Sequence, residues 1–95
     1  MEIRDIQIDG KVVQGAEIPL QNAALIVAVA EHGYVMCGYL NLEAAEKFGD
    51  CAAVVKGVKN LDELLAAKVV AVTAAARKLG IEVGMTGQNA LARML

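Results

Sequence analysis

Two short apolar segments, separated by only three residues, most narrowly limit the folds open to this chain. Residues Ala23–Ala30 read AALIVAVA, and residues Tyr34–Leu40 read YVMCGYL. Runs of this length that are apolar throughout are typical of strands covered on both faces. We therefore expect both segments to be central strands of a β-sheet, joined by a short turn at residues 31–33.

The N-terminal residues predict an antiparallel hairpin. In the strand predicted over Glu2–Asp9, side chains alternate between the two faces, so Ile6 and Ile8 lie on one face and Ile3 on the other. Asp9-Gly10 is a strong two-residue turn signal, because glycine adopts a positive φ without steric cost. The returning strand, Lys11–Ile18, has apolar side chains on both faces. A hairpin of this kind suits an interface between subunits.

The middle of the chain predicts a strand–helix–strand unit. Asn41 can cap a short helix over Leu42–Phe48, and Gly49 can close that helix in the left-handed conformation. The segment Cys51–Lys56 then reads as another small, apolar strand. Such an order requires a crossover connection, and at least one parallel strand pair follows from it.

The last third of the chain predicts one long helix, a short strand and a terminal helix. The long helix covers Leu61–Leu79, with Asn60 as its N-cap and Gly80 at its C-terminal end. Ile81–Val83 is the candidate strand, and Thr86 caps the terminal helix.

Together these elements predict one α/β (α+β) domain over residues 1–95, in the order β-β-β-β-α-β-α-β-α. An N-terminal antiparallel hairpin region continues into a mixed sheet, which is packed by one long and two short helices. The chain has 57% hydrophobic and 21% charged residues. A monomer of this size buries only about 64% of the surface of its unfolded chain. Part of the apolar surface would remain exposed, so we expect a homo-oligomer.

Charge and targeting signals exclude several partners. The formal net charge is −2, and the basic residues are scattered, so nucleic acids and anionic membranes are not expected partners. No apolar run approaches the ~20 residues of a membrane span. The first five residues lack the features of a secretory signal, and two cysteines do not make a disulfide framework. We expect a cytoplasmic protein with reduced thiols.

His32 and Cys37 are the candidate catalytic residues. His32 is the only histidine, so we predict no metal site and no cofactor, although His32 could act alone as an acid or base. Cys37 is the only candidate nucleophile on a central strand, and the absence of serine excludes a serine-based hydrolase. Five residues along one strand place the two side chains on opposite faces, roughly 16 Å apart, so a dyad requires contact between subunits. The alternatives are a turn histidine bonded to backbone and inert packing of Cys37 and Cys51.

Residues Gly84-Met85-Thr86-Gly87 are the candidate ligand-binding segment. Two glycines before a helix leave backbone amides that could bind a small anionic metabolite. The segment is neither a dinucleotide-binding fingerprint nor a P-loop, and no lysine follows it. The alternative is a glycine-rich turn in which Thr86 only caps the helix.

The segment HGYVMCG at His32–Gly38, together with GIEVGMTG at Gly80–Gly87 and the downstream Ala90-Leu91, resembles the YunC-like family. These are small bacterial and archaeal proteins classed as a domain of unknown function, and the match spans nearly the whole chain. The resemblance implies an α/β fold whose N-terminal β-sheet region serves in tetramerisation. It implies no activity, so no catalytic residue is carried over.

Three functional hypotheses remain open. The first is a homo-oligomer, a tetramer by the resemblance, that binds a small anionic metabolite at Gly84–Gly87, with His32 closing over it. The second is an enzyme whose site is shared between subunits, with His32 as acid or base and Cys37 as thiolate. The third is a purely structural or interaction subunit.

Overall fold

The structure, a computed structural model, describes residues 1–95. The fold consists of one six-stranded sheet and four short helices that pack against it. In chain order the elements are β1 (Glu2–Ile8), β2 (Lys11–Pro19), β3 (Ala24–Ala30), β4 (Gly33–Met36), α1 (Leu42–Phe48), β5 (Ala52–Val54), α2 (Leu61–Ala66), β6 (Ala71–Val72), α3 (Ala74–Lys78) and α4 (Gly87–Ala92). This confirms the predicted mixed sheet, although none of the helices is long.

The strands lie side by side in the order β1-β2-β3-β4-β5-β6. All neighbours are antiparallel except β4 and β5, which are parallel and are connected through α1. A parallel pair needs such a crossover, because its second strand must begin at the same end of the sheet as the first. The parallel pairing predicted from the strand–helix–strand order is confirmed.

The N-terminal hairpin forms as its turn residues predict. Asp9 and Gly10 both have positive φ, at 51° and 81°, which is the backbone of a type I′ turn. Its twist matches that of the flanking strands, and β1 pairs with β2 from Glu2↔Glu17 to Ile8↔Lys11. Ile8 is buried and Ile3 is exposed, so the predicted alternation of faces is confirmed.

The two faces of the sheet are covered unequally. Helices α2 and α4 pack on one face, which holds the main core, including Ile26, Val35 and Leu64. On the opposite face a small cluster forms between α1 and the two parallel strands, from Met36, Ala45, Ala52 and Val54. The second face of β1, β2 and β3 therefore has no helix over it.

Within one chain, the prediction that β3 is covered on both faces is wrong. Val29 is exposed although it lies in an apolar run, because α1 packs mainly on β5 and leaves a groove beside β3. Val35 and Met36 of β4, in contrast, are buried on opposite faces, as predicted for a central strand. An apolar run therefore identified a strand here, but it did not show that both faces of the strand are covered within the chain.

The predicted long helix over Leu61–Leu79 is also wrong. The chain forms α2, then the edge strand β6, then α3. The interruption lies at Val69, Val70 and Val72, where β-branched side chains disfavour helix and favour strand. Thr73 then starts α3 as its N-cap, because its hydroxyl accepts a hydrogen bond from the Ala76 amide.

The strand predicted at Ile81–Val83 is absent from the structure. After Gly80, whose φ is 83°, Ile81 and Glu82 are irregular and a turn begins at Val83; the buried Ile81 packs into the core. The sixth strand is β6 instead. The caps are confirmed: Asn41, Asn60 and Thr86 accept amide hydrogen bonds at the starts of α1, α2 and α4.

The longest helix, α1, has seven residues. No helix of the chain has both the length and the apolar character needed to traverse a lipid bilayer.

Candidate functional site

Two cavities open at opposite ends of β4. The first, about 430 Å³, lies at the amino end of the strand and is lined in part by His32; we call it the His32 cavity. The second, about 260 Å³, lies at the carboxyl end and is lined in part by Cys37; we call it the Cys37 cavity. The two candidate catalytic residues therefore face different cavities of one chain.

The His32 cavity brings together a histidine, a tyrosine, two carboxylates and a thiol. These lining residues are His32, Glu31, Tyr34, Asp50 and Cys51. The Tyr34 hydroxyl donates a hydrogen bond to Asp50 Oδ2 at 2.8 Å. The His32 amide donates to the Met94 carbonyl at 2.8 Å, which ties the turn to the C-terminal end of the chain.

Sequence reasoning missed the Tyr34–Asp50 contact. The two residues are 16 positions apart, and they meet because parallel pairing places Tyr34 opposite Ala52. No spacing along the chain indicates this contact. The predicted parallel pair was the only available signal, and it did not specify a register.

Two side chains of the His32 cavity have a pKa raised above the ordinary value, those of Tyr34 and Cys51. Burial, the hydrogen bond to Asp50 and the charge of that carboxylate together raise the pKa of Tyr34 to about 12, and burial is the largest cause. Burial also raises the pKa of the Cys51 thiol. Because the thiolate is the reactive form of cysteine, Cys51 is a weak nucleophile at neutral pH.

The Tyr34→Phe variant is expected to lose the part of the stability that depends on pH between 10 and 12. The folded-state pKa of about 12 lies above the ordinary value of 10.0. The stability from the protonated phenol is therefore complete below pH 10 and is lost as pH rises towards 12. Because solvent screens this partly exposed group, the difference should be about 1 kcal/mol or less.

Urea unfolding measured between pH 8 and 12 checks this expectation. The free energy of unfolding should fall more steeply with pH in the wild type than in Tyr34→Phe. Tyr39→Phe is the matched control, because the exposed Tyr39 makes no side-chain hydrogen bond. Equal pH dependence in the wild type and Tyr34→Phe would contradict the expectation.

Cys37 is buried in the main core at the far end of β4. Its amide donates to the Ile26 carbonyl at 3.0 Å, and its Sγ accepts from the Ile26 amide at 3.3 Å. His32 and Cys37 therefore do not meet within one chain. A dyad between subunits stays a prediction, and these contacts give Cys37 a packing role.

The backbone amides of the Gly84–Gly87 turn are largely occupied. Gly84 donates to the Val69 carbonyl at 2.8 Å, and Gly87 donates to the Ala67 carbonyl at 2.9 Å. The Met85 amide also has a partner, the Glu82 carbonyl, at 3.3 Å. The Thr86 hydroxyl accepts from the Asn89 amide at 3.1 Å as the N-cap of α4. An anion site at this turn stays a prediction, while the alternative of a capped structural turn accounts for these contacts.

The chain has no group of three or more His, Cys, Asp or Glu side chains close enough together to hold a metal ion.

Comparisons with known proteins agree with this fold over nearly the whole chain. Residues 36–94 match a family model described as a domain of unknown function, DUF1805. The chain is 34% identical over 99 residues to the uncharacterized protein YunC of Bacillus subtilis (strain 168), covering 100% of this chain and 98% of that protein. It is also similar to the crystal structure of a protein of unknown function from Thermoplasma acidophilum. That match has a TM-score of 0.94 and 44% identity, covering 99% of this chain and 92% of the other.

The family match, the relative and the solved structure all agree with the resemblance carried by the HGYVMCG and GIEVGMTG segments. All four helices lie within the residues that match the family model. The chain belongs to the DUF1805 family and is a relative of YunC.

Proposed function

We propose that this chain is the subunit of a homo-oligomer and that its N-terminal strands form the subunit interface. The observation that carries the proposal is the uncovered side of β1, β2 and β3. We call this surface the open face and define it by the apolar side chains on that side of the three strands: Ile3, Val12, Ala16, Ile18, Val27 and Val29.

The open face is apolar and exposed over three adjacent strands. Register places Ile3, Ala16 and Val27 in one row across the sheet. Ile3 is 62% exposed, Val12 is 56% exposed and Val29 is 47% exposed. The only charged side chain on this side of the three strands is Asp5, which lies opposite Gln14. Burying apolar surface of this kind contributes roughly 25 cal/mol per Å².

The open face continues into a groove beside α1. This groove, about 530 Å³, is lined by Val27 and Val29 of the open face and by Met36, Leu40 and Phe48. Phe48 is 80% exposed at the end of α1. Aromatic side chains of this size are frequent anchors at protein interfaces. One apolar strip therefore runs from the hairpin to α1.

The proposed occupant of this strip is a second copy of the chain. In a twofold dimer, the same surface patch of each subunit forms the interface. The apolar sheet faces of the two subunits can then stack face to face, with the sheets about 10 Å apart. A stable dimer needs about 800 Å² from each partner. That is about one-seventh of the 5525 Å² surface of this chain.

Val29→Glu is expected to dissociate the oligomer. Val29 belongs to both the open face and the groove, so a carboxylate there would have to be buried without a partner in the interface. Sedimentation equilibrium at several concentrations should give the wild type a mass above the 10.0 kDa of one chain. The variant should have the 10.0 kDa mass of a monomer. The association constant should fall at least a hundredfold.

Val83→Glu is the matched control, because Val83 is 59% exposed and lies outside the open face and the groove. In sedimentation equilibrium, the Val83→Glu variant should have the same assembly mass as the wild type. A wild-type chain that stays monomeric up to high micromolar concentration would overturn the proposal. So would a Val29→Glu variant that associates as tightly as the wild type.

Catalysis has no comparable support. His32 and Cys37 line different cavities, and the only other thiol, that of Cys51, has a raised pKa. The enzyme hypothesis thus depends on a partner subunit bringing the two residues together.

A further inference from the structure

We propose that the Cys37 cavity binds a compact organic anion, with an apolar body held in the cavity and an acid group paired with Lys56. This site differs from the Gly84–Gly87 segment and from the proposed interface. The inference goes beyond self-association and does not depend on it.

The first argument is the position of the cavity in the sheet. Strands β4 and β5 are parallel, so their carboxyl ends meet at one edge, and the cavity opens there. The helices that follow these strands leave on opposite sides: α1 packs over the cluster with Met36, and α2 packs in the main core with Cys37. Diverging connections leave a crevice between parallel strands, which is where open α/β sheets bind ligands.

The second argument is the lining of the cavity. Ala24, Gly38 and Gly57 are small, so the cavity of about 260 Å³ is open down to the backbone. Gly57 has a φ of 73°, a conformation that glycine adopts without strain. The Cys37 thiol and Val58 add apolar wall, and the exposed Tyr39 ring stands at the rim. The volume equals that of about nine water molecules in the liquid, which suits a small molecule.

The third argument is the charge at the entrance. Lys56 directly precedes Gly57, and its side chain runs alongside Gly38: a Cβ added at Gly38 would lie 3.6 Å from Lys56 Cγ and 4.0 Å from Lys56 Cε. Lys56 is not itself a lining residue, but its ammonium is bonded to Cε and is therefore close to Gly38, which lines the cavity. Lys56 forms no ion pair, and no acidic residue lines the cavity. An unpaired cation beside an apolar cavity favours a ligand with one acid group and an apolar body.

Benzoate is the probe for the test, because it combines an apolar ring with a carboxylate. In ¹H–¹⁵N correlation spectra of the full chain at low salt, benzoate should cause saturable shifts of the Gly38, Tyr39 and Gly57 amides. Benzyl alcohol, the neutral analogue, should bind more weakly at the same amides. Lys56→Gln should raise the benzoate dissociation constant about fivefold, equal to about 1 kcal/mol, and leave that of benzyl alcohol unchanged.

Two further variants complete the test. Lys47→Gln is the matched control, because Lys47 is exposed in the last turn of α1 and lines no cavity; benzoate should bind it as it binds the wild type. Ala24→Leu should fill the cavity and block both probes, and a thermal melt will show that it is folded. Absence of saturable shifts in the wild type would overturn the proposal. The proposal would also be overturned if Lys56→Gln bound benzoate as tightly as the wild type, or if benzoate shifted only amides in the groove beside Phe48. Both outcomes can be read whether the chain is a monomer or an oligomer.

Discussion

Replacing Gly87 by alanine is expected to destabilise the chain by about 3 kcal/mol. A Cβ on Gly87 would collide with the carbonyl oxygen of Leu64 and would lie 3.2 Å from the carbon of the same group. Both atoms belong to the backbone of α2, so no rotamer change relieves the clash. Helices α2 and α4 would have to separate, and the buried Leu64 and Leu91 pack in the core that this would open.

Urea unfolding of wild type and Gly87→Ala at one protomer concentration measures this loss, since self-association would otherwise change the apparent stability. Gly38→Ala is the matched control. Its Cβ would meet no heavy atom nearer than 3.6 Å, an ordinary contact, so its midpoint should stay close to that of the wild type. A Gly87→Ala variant with the wild-type midpoint would show that α4 can shift without cost.

The role of Gly87 shows why this segment suggested a ligand site. Glycine before a helix is required both where a backbone approaches an anion and where one backbone crosses another closely. The pattern in the sequence is the same in the two cases. Here the Gly87 amide donates to the Ala67 carbonyl and the Cα faces Leu64, so contacts within the chain account for the glycine.

Features determined by local contacts were predictable from the sequence. The Asp9-Gly10 turn and the caps at Asn41, Asn60 and Thr86 depend on residues within three positions of each other, and all are confirmed. Gly49 and Gly80 likewise take the left-handed conformation at helix ends. Turn and capping energies act within one segment and do not depend on the rest of the fold.

Features determined by distant contacts were not predictable in the same way. The alanine-rich segment from Leu61 to Leu79 has helical periodicity, yet Ala71 and Val72 pair with β5 as an edge strand. Pairing that completes a sheet outweighs a modest helix propensity, and only the tertiary structure supplies the pairing partner. The Tyr34–Asp50 contact and the two separate cavities depend on the same register between β4 and β5.

Thr73→Val is expected to destabilise the chain by about 3 kcal/mol, because it removes one hydroxyl that serves three backbone groups. Thr73 is fully buried, the only polar residue in that class. Its Oγ1 donates to the Asp50 carbonyl at 2.7 Å and accepts from the amides of Ala52 at 3.1 Å and Ala76 at 3.3 Å. These bonds connect the start of β5, the end of β6 and the start of α3.

Valine has nearly the shape of threonine, so the variant creates no cavity and isolates the loss of hydrogen bonds. Each buried backbone group left without a partner costs about 1–3 kcal/mol, and loss of the cap of α3 alone costs about 1 kcal/mol. Thr73→Ser is the matched control: it keeps the hydroxyl and loses one methyl group, worth roughly 1 kcal/mol. In urea unfolding, Thr73→Ser should therefore be clearly more stable than Thr73→Val. If Thr73→Val were the more stable of the two, packing of the methyl group and not hydrogen bonding would be what Thr73 contributes at this junction.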